Sequence, residues 1–520
     1  MPALTFDRFE GGLDLRPAFP LSRANILRVL SNAYVTAGRS IKKRPCAEPV
    51  GTLEPGTVGL KASGTRLRTF YGDGAAITHA NTLFQPTRTP HITTGAAPTK
   101  IHYCDQFNAL PYVVAEYGDG TTRHHFLDDP GVWVTATAHA AGVFRRPNTA
   151  NGFRYEVTTA GTTGGAEPTW PTTSGATVVD GTVTWTCRSF AVTDTNCPHT
   201  KQVTKRQQKM YAANGSNVNY CKTGDCRDWT TSSDAGFLPA GLQATGSDQV
   251  TMVGQFQSNL VVGFSDSAQV WTVSSDPSAN ALTGTVENVG TLFHRSARAL
   301  SGDLLFLSQS GFRSMSLLSL TNNLQDSDVG NPIDKLVTAE VVAADDPLSV
   351  YYPKLGQWWC INGSRVYAYS FSKTAKLTAW SVYDFPWTID DATVLNQQLY
   401  VRTGNDVYKI TPDVFKDGAL SIPLVDVQMY YQDAGRPGVL KQFTGLRTTG
   451  VGSPTVSYLF AAEDQELESA AYELDPISVS GQLNPVELCS ERIAPHFVHQ
   501  KDEDFELSMA SILYENLGVV

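Results

Sequence analysis

The side chains best suited to chemistry in this sequence are thiols, imidazoles and carboxylates. Cys197, His199, Cys221 and Cys226 follow one another as C-x-H…C-x4-C. Zinc takes four nitrogen or sulfur ligands in a tetrahedron, and thiolates with an imidazole would supply them. Cys197 and His199 are closer in sequence than the pair of a usual zinc knuckle, and no C-x2-C accompanies them, so buried thiols beside a turn are the preferred reading. His124-His125 with Asp128-Asp129 bring imidazoles near carboxylates that suit a divalent ion. Adjacent residues on a strand point to opposite faces, so the two histidines cannot easily share one ion. Carboxylate pairs stand at Asp345-Asp346 and Asp390-Asp391. A glycosidase needs two carboxylates facing each other across a pocket. Sequence neighbours do not form such a pair, and Asp345-Asp346-Pro347 reads as a turn.

Trp358, Trp359, Tyr367, Tyr369, Trp380, Tyr383 and Trp387 form the densest aromatic stretch. Such rings can stack on sugars or bases. They alternate as strand residues do, which favours a core role. Lys201, Lys205, Arg206 and Lys209, with Lys42, Lys43 and Arg44, make the best basic patch available and would contact phosphates if they faced DNA. A solvated linker or a subunit salt bridge is the commoner use of such residues. No Gly-rich phosphate loop with a following Lys-Ser/Thr, zinc-protease helix motif or nucleophile elbow is found. The sequence therefore predicts no catalytic, cofactor-binding or metal site, and no enzyme.

The elements that carry these residues read as strands. The 520 residues exceed one ordinary core, so two or three domains are expected. With 43 Gly, 28 Pro and abundant Thr, Ser and Val, the composition favours short strands and many turns. The net charge of −10 lacks the basic footprint of a protein that grips nucleic acid. The eight cysteines are too scattered for a small disulfide framework. No secretory signal or membrane-length apolar run is visible, so folding in a reducing cytoplasm is expected.

One theme recurs: an alternating apolar run, a tight polar turn, then another run. Turns of this kind lie around Asp73, Asp119, Gly215, Asp266, Gly311, Gly363 and Asn405. The sequons at Asn214-Gly215-Ser216 and Asn362-Gly363-Ser364 are read as two of these turns. Spacing of roughly 40–50 residues falls in the range of β-propeller blades. The interval from Asp119 to Gly215 is about twice that, and the Thr- and Gly-rich text between explains it as an insertion. The expected division is 1–55 and 412–520 as a β-rich platform, 56–143 and 191–411 as a propeller, and 144–190 as a small inserted β module. Only residues about 22–31 and 332–343 look helical.

The first 45 residues stand apart. Gly11-Gly12 precede a proline-bounded apolar segment, then come Ile26, Leu27, Leu30 and Asn32, and the segment closes on Lys42-Lys43-Arg44-Pro45. This "GG…P…N…G…KRP" opening resembles that of the tail nozzle proteins of short-tailed bacteriophages, also called tail tubular protein B. The resemblance implies a mostly β virion protein with a central β-propeller and a platform that forms a homohexameric ring. Such a ring sits beneath the tail adaptor, carries tail fibres or spikes, and continues the DNA channel, with genomic DNA passing through without sequence-specific binding. It implies location in the phage tail after synthesis in the host cytoplasm. Related hub proteins that stabilise packaged DNA share the propeller and are a second reading of the resemblance. The alternative class is a glycan-binding or depolymerase-like tail protein, which would use the aromatics at 358–387 and the insertion; a plain adhesion or scaffold propeller is a third. Leu13, Leu15, Phe19, Ile26, Leu27 and Leu30 are apolar enough to require burial, and the expectation is that a neighbouring subunit supplies it.

Overall fold

The structure is a computed structural model that describes residues 2–17, 24–72, 74–79, 88–89, 97–128, 130–230, 234–244, 246–316, 329–341, 346–419, 421–461, 464, 467–474 and 483–519. The chain is mostly β. Hairpins form around Asp119, Gly215, Asp266, Gly311, Gly363 and Asn405. Asp73 itself lies outside the described residues, but the strands on either side of it pair. The Asn-Gly turns are two-residue loops, with Gly215 at φ 59° and Gly363 at φ 64°. Their left-handed backbone matches the twist of the strands they join.

These hairpins build seven antiparallel units in chain order, six of them separate sheets and the sixth the first four strands of a ten-stranded sheet. Their first strands are Thr57–Ser63, Pro98–Phe107, Val203–Arg206, Met252–Phe256, Arg298–Leu300, Leu348–Tyr352 and Asp391–Leu395. Thr57–Ser63 lies beside both Pro98–Phe107 and Asp391–Leu395, and Met252–Phe256 lies beside Val203–Arg206 and Arg298–Leu300. Leu348–Tyr352 lies beside Arg298–Leu300 and Asp391–Leu395. The Lys205–Asp105 ion pair, 2.9 Å, links the second sheet to the third. The last sheet takes its outer strand, Cys46–Thr52, from the start of the chain, paired antiparallel with Asp406–Thr411. The N-terminal segment thus hands over to this sheet at Cys46, ahead of the expected boundary at residue 55.

One further sheet and the extension of the sixth unit join the chain ends. Glu506–Val519 pairs with Val439–Val451, with Ala3–Phe6 and with Ile41–Lys43. Gly12–Leu13 and Ile26–Ser31 enter a ten-stranded sheet between Leu377–Asp384 and Val425–Met429. Residues 26–31 are therefore a strand, not the helix their spacing suggested. Ladders on both sides satisfy their backbone, and tertiary pairing overrides a weak local preference. The helix expected at 332–343 forms as Asp334–Val341.

The apolar residues of the opening segment are buried within their own chain. Leu13, Ile26, Leu27 and Leu30 are 4%, 8%, 0% and 1% exposed. Leu15 packs partly buried on the same core, and Phe19 lies outside the described residues. Their neighbours include Trp380, Val427, Phe497 and Ile512, so no neighbouring subunit is needed to cover them. The glycine pair has a steric reason. A Cβ on Gly11 would meet Ile26 Cγ2 at 2.4 Å, and one on Gly12, at φ +58°, would meet Ala379 Cβ at 2.7 Å.

The basic run is also consumed by the fold. Arg44 is fully buried and grips Asp417 through two bonds, Nη2–Oδ2 at 2.5 Å and Nη1–Oδ1 at 3.1 Å. It also donates to Asn32 Oδ1 at 2.8 Å and to the Asp384 carbonyl at 3.1 Å, and stacks on Phe385 at 4.0 Å. Asn32 accepts from Asp384 N–H and donates to Leu424 O. Asp417 accepts from Ala47 N–H at 3.0 Å. Buried Lys43 donates to the Lys501 carbonyl at 2.7 Å, and Lys42 pairs with Asp504 at 3.0 Å. Burial takes Lys43 and Arg44 out of any phosphate-facing patch, and Lys42, partly buried, is paired within the chain.

The inserted segment has its own core of Trp133, Phe153, Tyr155, Val157, Val183, Trp185 and Cys187. Trp133 and Trp185 both donate to Asp180 Oδ2, at 2.7 and 3.1 Å. The packing unit therefore starts before residue 144. Its ends meet where Phe126 N–H donates to Phe190 O at 3.0 Å, and Asp128 bridges Arg154 in the insertion to Arg227 in the third sheet's last hairpin connection, at 2.6 and 3.1 Å. Replacing residues 130–188 by a short Gly/Ser linker should leave a soluble, folded chain. Deleting 144–190 instead strands Trp133 without its core and should give insoluble protein. Solubility and thermal melting of both deletions check this; an unfolded 130–188 deletion would show that the insertion belongs to the surrounding core.

Candidate functional site

The first strands of the seven units line one cavity of about 480 Å³. Strand alternation sends one set of side chains into it, and several are charged. Lys61 interrupts an otherwise small and apolar strand, and it meets Asp391, at the start of the seventh sheet, at 2.6 Å. Arg402 holds the same carboxylate at 2.9 Å, and Arg295 reaches it at 3.8 Å. Arg295 also pairs with Asp346 at 2.7 Å, and Lys100 pairs with Asp346 at 2.6 Å. This network fastens the first, second, sixth and seventh sheets to the turn that carries Arg295. Burial pushes the Asp391 carboxyl up, but Lys61, Arg402 and Arg295 outweigh it and keep it ionised. Burial likewise opposes ionisation of Asp346, yet Arg295 and Lys100 hold that group down at about 2.

His102 and His294 face the same cavity. Burial pushes both imidazoles down to about 4, so they are neutral at pH 7. Cys104 lines it as well, and burial pushes its thiol up to about 12, which leaves no thiolate for nucleophilic chemistry. The arrangement can bind and orient a small polar group.

The sequence-predicted candidates are dispersed. Cys197, Cys221 and Cys226 share an apolar cluster with Tyr112, Met210 and Trp229. His199 is exposed and donates from Nδ1 to Thr122 O at 3.0 Å, away from the thiols. The imidazole beside Cys197 is His124, at 3.5 Å. His124 bonds Tyr112 at 2.7 Å and His125 bonds Tyr117 at 2.6 Å. The two rings thus lie in different side-chain clusters. Asp129 and Asp345 lie outside the described residues. Trp358, Tyr367, Tyr369 and Trp380 fill one face of the sixth sheet and Trp359 and Tyr383 the other; Trp387 is partly buried on that second cluster. Lys209 is buried against Asp234, Lys205 is paired with Asp105, and Arg206 donates to Ser258 O, so these residues form no open patch with exposed Lys201. Sequence reasoning missed Lys61, His102, Arg295, Arg298 and Arg402. The available signal was a charge set in an apolar strand, as at Lys61 in TVGLKAS.

Among the described residues, no helix is long and apolar enough to cross a membrane. No family model matches the chain, and no curated protein matches it. Among solved structures, the chain is similar to Kluyveromyces lactis Hsv2, at 8% identity over 63% of this chain and 98% of that chain. The TM-score of 0.29 is too low for that likeness to carry an argument.

The ion pairs set a pH dependence. Asp346 is depressed below its unfolded value, so its contribution is full above pH of about 4 and is lost as pH falls toward about 2. Asp346→Asn should lower stability at pH 7 by about 1–2 kcal/mol and flatten the acid limb between pH of about 4 and 2. Denaturant melts across that range check this; an unchanged acid limb would contradict the assignment.

Proposed function

We propose that this chain is a structural subunit of the tail nozzle of a short-tailed bacteriophage, built on a seven-bladed β-propeller with a platform made from both chain ends. Three features support the propeller. Hairpin units of three or four strands follow one another in sequence, the sixth continuing into a ten-stranded sheet, their first strands share one cavity, and the seventh sheet is completed by Cys46–Thr52 from the chain start. The observation that carries the nozzle reading is the use made of the opening residues. Gly11, Gly12, Asn32, Lys43 and Arg44, which carry the resemblance, are the residues that lock the two chain ends to the sixth and seventh sheets. A signature that specifies architecture is what a family resemblance without catalytic residues requires.

In this reading the chain forms a homohexameric ring on the tail adaptor, continues the DNA channel without sequence-specific contacts, bears fibres or spikes, and is no enzyme. The glycan-binding alternative loses support, because Trp358, Trp359, Tyr367, Tyr369, Trp380 and Tyr383 are core residues and Trp387 is partly buried on them. Burial of the opening segment also decides what deleting residues 1–45 would do. That deletion strips a core of the chain and should unfold the platform, so it cannot isolate a ring contact. The test is negative-stain imaging and mass measurement of the intact chain, alone and with a tail adaptor ring. Sixfold rings with an open axial channel, seated on the adaptor, are expected. A monomer that fails to bind the adaptor would overturn the proposal.

A further inference from the structure

The cavity holds polar atoms that its own ion pairs leave unused. Lys61, Arg295 and Arg298 face it against a single lining carboxylate, Asp105. Asp105 is matched by Lys205, Lys61 by Asp391 and Arg295 by Asp346. Arg298 is exposed at the cavity, and among the described residues nothing hydrogen-bonds or ion-pairs with its guanidinium.

The two imidazoles offer opposite faces. His294 Nδ1 accepts from Val253 N–H at 3.5 Å, so the neutral ring carries its proton on Nε2 and can donate it. His102 Nε2 lies 2.7 Å from Glu116 Oε2. A carboxylate only accepts, so Nε2 holds the proton and Nδ1 is a bare lone pair. That nitrogen is buried and has no partner among the described residues, on a side chain 1% exposed. A buried acceptor without a donor is costly, and it marks a place for a donor from outside.

We propose that the cavity binds a phosphate group that retains one proton, its anionic oxygens on Arg298 and His294 Nε2–H and its P–OH donating to His102 Nδ1. The cavity, about 480 Å³, admits inorganic phosphate or the phosphate end of a mononucleotide. Inorganic phosphate keeps a proton at pH 7, whereas a monophosphate ester, whose second pKa is about 6, keeps one only in its monoanion and binds in that form. Sulfate has the same shape but carries no proton at neutral pH, so it leaves the His102 lone pair unmet. A site built around a hydrogen bond rejects the analogue that lacks it.

The test is calorimetric titration of the full chain at pH 7 and constant ionic strength with inorganic phosphate, sulfate and adenosine monophosphate. Saturable phosphate binding at least tenfold tighter than sulfate is expected. Arg298→Ala, at an exposed position that should not disturb folding, is expected to weaken phosphate at least tenfold. His102→Phe should abolish the preference over sulfate, and a melting curve confirms that it folds. Mononucleotide binding tighter than phosphate assigns the group to a nucleotide, and weaker binding assigns it to the free anion; either supports the site. No phosphate binding, equal binding of sulfate and phosphate, or an Arg298→Ala chain that binds as the parent does would each overturn it.

Discussion

A guanidinium removed from water must find fixed acceptors in the right plane, or its burial is strongly unfavourable. Arg44 meets that requirement with groups far apart in sequence: Asp417, Asn32, Asp384 and Pro45. These come from the opening segment, the last strand of the sixth sheet and the connection after the seventh. The arginine cannot be satisfied unless all of them are in place together. The steric fit of Gly11 and Gly12 against Ile26 and Ala379, and the burial of Leu27 and Leu30 against C-terminal strands, depend on the same closure. A buried pair of this kind is weak evidence for net stability, because an apolar replacement of both partners can serve as well. What the geometry shows is a condition: the guanidinium's partners are all met only when these strands are together.

The second constraint is charge at the point where the first strands converge. A barely charged cavity wall would close more cheaply, yet Lys61, Asp391, Arg402, Arg295, Asp346 and Lys100 form a connected set there. Each carboxylate has more than one cation, which keeps it ionised in spite of burial. The network ties sheets that are distant in sequence, and it leaves Arg298 and His102 Nδ1 unspent. Under the proposed propeller, the same inner surface both closes the ring of blades and offers a polar pocket.

Local features were legible in the sequence, and long-range ones were not. Period-2 alternation with Asn-Gly or Asp-Gly turns located the hairpins, since turn and strand chemistry are both local. The alternation also identified Trp358 and Trp359 as core residues facing opposite sides. The helix expected at residues 22–31 failed because the spacing of Ile26, Leu27 and Leu30 suits a helix, whereas the strand they form is buried on both faces and need not alternate, and its partners lie about 400 residues away in Val425–Met429. The basic run was misleading for the same reason: Arg44 and Lys43 look like surface charge until Asp417 and the Lys501 carbonyl are placed beside them. The cavity network joins Lys61 to Asp391 and Lys100 to Asp346, pairs that no spacing rule connects.

The central claim is that the opening motif is a clamp within one chain. A double-mutant cycle on Arg44→Met and Asp417→Leu, read by chemical denaturation with the fluorescence of the nearby buried tryptophans, tests it most directly. Each single change strands a buried charge and should lower stability by about 3–5 kcal/mol. The double change removes both charges, so its cost should fall well short of the sum, with a coupling of about 2 kcal/mol or more. Additive costs, agreeing within about 0.5 kcal/mol, would contradict the clamp.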